Sequence, residues 1–318
     1  MIYGSFDQLI ARVGDGGRRR KVVAVVGAND DHTLEAVAEA RREGVVAARL
    51  IGPVAAVRDR LAALGEDPAD YDLVDAEDAV AAARTAAGLI GAGRADFVMK
   101  GRIQTADLLR AMLSPESGMR TGRLLSHLAL IRIPGFPKLV GLTDAAINIA
   151  PDLAQKREIV ENAVTAMTAI GFDPPKVALL SSSETVNPKM PESVEAAELA
   201  EANRDGWLAP AFVEGPISYD LAISRESARI KGYDSPLPGA VDLLVAPHIT
   251  VANVLIKALR HSAGAASAGI VVGGRVPIVL TSRAVAARDK LLPLVLAASV
   301  GVGGSEAAGD ECSARAGR

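Results

Sequence analysis

The chain has 318 residues, beyond the length at which a single hydrophobic core usually stops growing, so two domains are the default expectation. Hydrophobic residues make up 49% and aromatic residues 3%, a balance of small aliphatic side chains suited to helices lying close against a sheet in layered α/β packing. A formal net charge of -3 gives no basis for binding nucleic acid or an anionic membrane, and the one basic run, Arg18 to Lys21, precedes a strand and reads as a solvated face.

The opening "MIYGSFDQLIARVGDGGRRRK" lacks the basic-then-apolar order of a signal peptide, and no segment supplies about 18 consecutive apolar residues, so the expectation is a cytoplasmic protein without a membrane span. Short β-branched runs then alternate with Ala-rich helical stretches: "KVVAVVGA", "HTLEAVAEARREG", "VVAARLIG", "VAAVRDRLAALG", "YDLVDA", a helix near 77–91, "DFVMKG" and a helix across Thr105–Leu113. Continuous apolar strands with helical crossovers predict a mostly parallel sheet covered on both faces. The turn "GANDDHT" has the position of a nucleotide-binding turn but lacks the G-x-G-x-x-G glycines, so no dinucleotide site is expected there.

Around 114–140 the rhythm breaks, and two strand-like runs are separated only by Pro134-Gly135-Phe136-Pro137. So short a connection forces the two strands antiparallel. Alternation resumes with a helix near 152–171, "KVALLS", a helix near 191–204, "VDLLVAP", "TVANVLIKALRH" and "AGIVVGG". Glu192, Glu195, Glu198 and Glu201 recur every third residue and read as the wet face of their helix. These patterns place a first α/β domain over 1–123 plus 277–318 and a second over 124–276, with the last strand and helix returning to the first. The single cysteine, Cys312, lies in a small-residue tail that reads as disordered from Gly303 onward, and cannot form an internal disulfide. His32, His127, His248 and His261 show no ligand spacing, so no metal is expected.

In open α/β sheets ligands bind at the carboxyl ends of strands, so polar residues just after apolar runs carry the information. "DFVMKGRIQTADLLRA" places Lys100, Thr105 and Arg110 at and beyond one strand end; "KLVGLTDAAIN" places Thr143, Asp144 and Asn148 at another; "PIVLTSRAVAARD" supplies Thr281, Ser282, Arg283 and Asp289. A last helix starting at Ser282 would carry Pro293 in its interior, at a cost of about 3 kcal/mol or more. Starting at Asp289 puts the proline in the first turn and makes Asp289 the N-cap. Spacing alone leaves Asp289 as either a cap or a catalytic carboxylate. Lys100 could bind phosphate or simply reach solvent, Arg120 and Arg123 could meet phosphates or form surface ion pairs, Asp144 and Asn148 are expected to hydrogen-bond backbone, and Asp220 reads as a helix-start cap.

Taken together, "MKGRIQTADLLRAML", "MRTGRLLSHLAL", "KLVGLTDAAINIAPDLAQKREIVENAV", "KVALLSSSETVNPKMPESVEAAELA", "GPISYDLAI" and "PIVLTSR" resemble the phosphate acetyltransferase and phosphate butyryltransferase family, more closely its butyryltransferase branch. The resemblance runs in order over roughly residues 20 to 300. It implies two doubly wound α/β domains with a cleft between them, a fold shared with isocitrate and isopropylmalate dehydrogenases. It also implies a homodimer and reversible transfer of a short acyl group between coenzyme A and phosphate. Coenzyme A is then a substrate, and no separate cofactor is implied.

Carried onto this chain, the family's Ser-Arg pair falls on Ser282 and Arg283, its carboxylate base on Asp289, and the arginine of its T-A-D-x-x-R stretch on Arg110. Lys100, Thr105, Arg120, Arg123, Thr281, Asn253 and Lys257 become substrate-binding candidates. Two departures concern acyl or CoA preference: where an N-x-x-x-G-N-type turn is expected the chain has His248-Ile249-Thr250-Val251-Ala252-Asn253, and Ala284 follows the Ser-Arg pair. The alternatives are a metal- and NAD-dependent dehydrogenase of the same fold, for which no ligand cluster appears in the sequence, and a non-catalytic acyl-CoA-binding protein.

Overall fold

The computed structural model describes residues 3–15, 19–280 and 287–300. In chain order the first elements are α1 (Phe6–Gly14), β1 (Lys21–Val26), α2 (Asp31–Arg42), β2 (Val46–Gly52), α3 (Val54–Ala63), β3 (Asp72–Asp75), α4 (Ala79–Gly91), β4 (Phe97–Lys100) and α5 (Thr105–Met112). Next come β5 (Ser126–Arg132), β6 (Leu139–Thr143), α6 (Leu153–Ile170), β7 (Lys176–Leu180), α7 (Pro191–Arg204) and β8 (Phe212–Ile217). The last are α8 (Tyr219–Ile223), α9 (Arg225–Lys231), β9 (Leu243–Val245), α10 (Ile249–Ser262), β10 (Ala266–Val272), β11 (Ile278–Val279) and α11 (Ala287–Val300). No helix among the described residues is long and apolar enough to cross a membrane.

Local chemistry fixes several of these boundaries. Asp30 accepts the Thr33 N–H at the start of α2, and Asp78 accepts those of Val80 and Ala81 at the start of α4. Asp152 and Gln155 cap each other's backbone in a reciprocal box that opens α6, and Gly171, at φ 115°, closes that helix in a left-handed turn. Asp220 does not cap its helix as expected. Ser218 holds the cap position, and Asp220 sits in the first turn of α8, paired with Lys231 at 3.1 Å. Of the four glutamates on α7, Glu195 is not merely wet, because it forms an ion pair with the buried Lys156.

Among the described residues the strands form one sheet, in the order β3-β2-β1-β4-β11-β10-β5-β6-β9-β7-β8. The first five are mutually parallel, as are the last four. Between them β10 runs antiparallel to both β11 and β5, and β5 antiparallel to β6. These successive reversals leave the two parallel sets pointing in opposite directions. The expected hairpin around Pro134–Pro137 is the β5–β6 pair. The join between the two halves is the unforeseen part: the short Gly273–Pro277 connection between β10 and β11 forces that pair antiparallel and makes the two sheets continuous.

β11 returns to lie parallel to β4, and α11 packs on α1, α2, α6 and β10. The helix begins at Ala287, two residues before the expected start, so Asp289 is not its N-cap and Pro293 lies in its interior. The lost backbone hydrogen bond is offset by packing, since Leu291, Leu292, Leu294, Val295, Leu296, Ala297 and Ala298 are all buried. The N-terminal α1 was not read from the sequence. It buries Phe6 and Leu9, and Tyr3 beside it donates a hydrogen bond to the Ile170 carbonyl at 2.8 Å.

Candidate active site

The carboxyl ends of β1, β4 and β11 stand side by side. Val26 is in register with Lys100, and Met99 with Val279, so the chain beyond Val279 leaves the sheet beside Lys100. The turns after β1 and β4 interlock: Gly101 N–H donates to Val26 O at 2.9 Å and Arg102 N–H to Gly27 O at 2.8 Å. Only glycine fits either position. Gly27 has φ +69°, and a Cβ on Gly101 would stand 2.4 Å from the Gly27 carbonyl oxygen.

Lys100 is buried, 6% exposed, at this strand end. Thr105 opens α5 just beyond it, and Gln104 at the cap position supplies no side-chain hydrogen bond, so side-chain capping leaves the first amides of the helix unclaimed. Arg110 is not gathered into the strand end. It lies in the last turn of α5, exposed, donating to Asp107 at 2.7 Å. Thr281, Ser282 and Arg283 lie outside the described residues, as does the side chain of Asp289, whose backbone belongs to the first turn of α11.

A second group of candidates collects where β5 begins and β6 ends. The loop 118–125 is held by side chains from α6: Leu124 N–H donates to Glu158 at 2.7 Å, and Asn162 donates to Leu124 O at 2.7 Å. Thr121 Oγ1 ties it to Gly273 O at 2.6 Å. Arg123 spends its guanidinium on Glu161 at 2.7 Å, which is the ion-pair alternative of the sequence reading, whereas Arg120 is exposed and forms no ion pair among the described residues. Asn253, on α10, donates to Ala145 O at 3.3 Å, and Lys257 one turn later is exposed. Asp144, 4% exposed, accepts from the backbone of Ala146, Ile147 and Asn148 and so shapes the loop after β6. Ile147 of that loop and Leu280 beyond β11 pack against the same buried cluster as Leu108, Met112 and Met119. The loop after β6 and the chain just beyond β11 therefore rest on one apolar cluster.

His127 has no ligand spacing in the sequence, and its significance lies in its strand pairing. In the β5–β6 register Leu128 faces Thr143, which sets His127 opposite Asp144. Burial pushes the imidazole below its ordinary value against the opposing pull of the Asp144 carboxylate. Its Nδ1 has no hydrogen-bond partner among the described residues. Among the described residues no group of three or more His, Cys, Asp or Glu side chains is placed to hold a metal.

An α/β sheet whose strand ends carry basic and hydroxyl side chains suits anionic substrates, and comparison narrows the class. Residues 78–298 match the family described as "Phosphate acetyl/butaryl transferase". The chain is 38% identical over 296 residues to a phosphate butyryltransferase of Clostridium acetobutylicum, covering 93% of this chain and 98% of that one. It is 39% identical over 293 residues to a phosphate acetyltransferase of Rhizobium meliloti, covering 92% of each. A branched-chain phosphotransacylase from Enterococcus faecalis V583 superposes with TM-score 0.79 at 36% identity, covering 88% of this chain and 99% of that one. The chain belongs to the phosphate acetyltransferase and phosphate butyryltransferase family of acyltransferases. A 4-hydroxythreonine-4-phosphate dehydrogenase from Klebsiella pneumoniae, at TM-score 0.54 and 13% identity, shares the fold alone, and the dehydrogenase alternative is not favoured.

Proposed function

We propose that the protein catalyses acyl-CoA + phosphate = acyl phosphate + CoA for a short acyl group, acetyl or butyryl, by direct attack and without an acyl-enzyme. The observation that carries this reading is the match, at 38% identity over 93% of the chain, to a phosphate butyryltransferase of nearly the same extent.

In the direction of acyl-CoA synthesis, Asp289 takes the proton of the CoA thiol, and the thiolate forms the new S–C bond at the acyl phosphate carbonyl. The C–O bond to phosphate then breaks and phosphate leaves with the electron pair. A free thiol with pKa near ~8.5 is only slightly ionised at neutral pH, so a positioned base contributes roughly 10²–10⁴-fold. Ser282 donates to the carbonyl oxygen as charge develops there, with Thr281 beside it, while Arg110 and Arg283 hold the phosphate in charge-assisted hydrogen bonds. Support for a phosphate site comes from Lys100 at the end of β4 and the first amides of α5 at Thr105, which offer an anion a charge and backbone donors. For Arg110 to reach that anion its exposed pair with Asp107 must open, a small cost.

Arg120, Arg123, Asn253 and Lys257 are assigned to coenzyme A. Arg120 is the stronger of the two arginines, since Arg123 would first have to leave Glu161. We also assign domains to 1–123 plus 277–318 and to 124–276, a cytoplasmic location, and a homodimer formed through the second domain. In favour of that dimer, Ile149, Val251 and Val254 expose apolar side chains in the second half of the chain.

The test is release of free thiol from acetyl-CoA and butyryl-CoA, trapped with a thiol reagent, with and without phosphate. Phosphate-dependent release is expected, and the ratio of kcat/KM for the two acyl groups gives the preferred length. Absence of phosphate-dependent release with either substrate overturns the reading.

A further inference from the structure

From Leu291 to Ser299, α11 buries an almost wholly apolar surface, yet its first turn buries a charge. Lys290 is 2% exposed, and its ammonium stands 3.2 Å from Asp30 Oδ1 and 3.5 Å from Thr33 Oγ1. The same Asp30 oxygen accepts the Thr33 N–H at 2.8 Å and the Thr33 hydroxyl at 2.5 Å. Burial pushes the Asp30 carboxyl up, but the hydrogen bonds from Thr33 and Lys290 and the Lys290 charge outweigh it, leaving the carboxyl below its ordinary value.

Burying an ammonium carries a desolvation cost that an apolar side chain of similar length would not. What the charge adds is register. Leucine, valine and alanine surfaces pack in several offsets, whereas sliding α11 by one residue moves its atoms about 1.5 Å along the axis and turns them by about 100°, out of reach of a single carboxylate. Asp30 is itself well anchored. It caps α2 and follows the turn at Gly27, which is hydrogen-bonded to Arg102, two residues beyond Lys100. The pair therefore links the first turn of α11 to the strand ends that carry the proposed phosphate site.

We propose that Lys290 is a positioning residue: its buried pairing with Asp30 fixes the first turn of α11 and with it the place from which Asp289, the preceding residue, acts. This rests on the reading of Asp289 as the base that deprotonates the CoA thiol.

The experiment is a double-variant cycle on the full chain, with kcat, KM and thermal midpoint measured for Lys290→Met, Asp289→Asn and the two together. Methionine keeps the length of the side chain, and Asp30, with 27% of its side chain exposed, keeps its cap without stranding its charge. Lys290→Met is expected to lower kcat roughly ten- to hundredfold, the effect of a base displaced by about an ångström, with KM for both substrates within about twofold. In the Asp289→Asn background the same substitution is expected to lower kcat no further, because the group it positioned is gone. If Lys290→Met fails to fold, Asp30→Asn breaks the pair from the other side while keeping the α2 cap, and the same non-additive pattern is expected.

An unchanged kcat in a folded Lys290→Met, or a loss that multiplies with that of Asp289→Asn, overturns the positioning role while the base reading stands. Full turnover in Asp289→Asn alone overturns the base reading, and the positioning role with it.

Discussion

Asp144 and Asn148 are locked to each other: the Asp144 carboxylate accepts the Asn148 backbone N–H at 3.1 Å and its side-chain amide at 2.6 Å, and that amide also donates to Leu125 O at 2.8 Å. With Ala146 and Ile147 donating to the other carboxylate oxygen at 2.9 and 3.0 Å, one buried side chain organises a whole turn. The loop after β6 is thereby fastened to the start of β5.

Asp144→Ala is expected to destabilise the protein by about 3 kcal/mol or more, since each buried donor left without an acceptor costs about 1–3 kcal/mol. Asn148→Ala, which leaves the backbone bonds intact, is expected to cost about 1 kcal/mol. Urea denaturation of both variants checks this. Equal midpoints for Asp144→Ala and the unaltered protein would show that the turn is held by something else.

Stability is expected to fall on mild acidification because of His127. Burial lowers its folded-state pKa below the ordinary 6.5, so between the two values the unfolded chain binds more protons than the folded one. Stability then rises with pH through that window, and it is lost as pH drops below 6.5 toward the folded-state value. Thermal midpoints of the unaltered protein and of His127→Gln, measured from pH 7.5 down to 5, should diverge in slope below about pH 6.5. Parallel curves would show that His127 is not the group responsible.

Strand ends were readable in the sequence because they are defined locally, by an apolar run meeting polar residues. The helix near 152–171 was legible from its pattern alone, while the reciprocal box of Asp152 and Gln155 that fixes its start emerges only in the structure. His127 was not legible, because its significance lies in the residue opposite it in the β5–β6 pairing, and a lone histidine in an apolar strand carries no spacing signal. Lys290 was hidden in a similar way: beside Asp289 and Arg288 it reads as part of a charged helix start, and only the packing of α11 on α2 buries it against Asp30. The proline spacing points to a start for α11 two residues too late, because a local rule about proline does not reckon with a helix stabilised by tertiary burial. Arg110 was matched through the T-A-D-x-x-R resemblance, which specifies its position along α5 but not the direction of its side chain toward Asp107.

Arg110→Ala is expected to leave stability within about 1 kcal/mol, since it breaks only an exposed pair. If Arg110 clamps the transferred phosphate, kcat/KM for phosphate or acyl phosphate falls roughly ten- to hundredfold while CoA binding is little changed, a charged hydrogen bond contributing about 1.5–3 kcal/mol. Arg283→Ala is expected to behave alike. Steady-state kinetics with each substrate varied in turn decide the matter, and unchanged phosphate kinetics in both variants would remove the clamp.

Asp289→Asn separates a catalytic carboxylate from one that merely suits its helix. Asp289 lies in the first turn of α11, not at its cap, so the favourable interaction of its charge with the helix dipole is worth only about 0.3–1 kcal/mol. Asparagine keeps the size and forfeits at most that much, and the thermal midpoint should move little. It cannot accept a proton at neutral pH. If Asp289 is the base, kcat falls by roughly 10²–10⁴, and raising the pH toward the thiol pKa near ~8.5 restores part of the rate by ionising CoA without help. Ser282→Ala should also slow turnover, but without that recovery, because it removes a hydrogen-bond donor and leaves the base in place. Full activity of Asp289→Asn at neutral pH would sink the assignment and leave the thiol to ionise by another route.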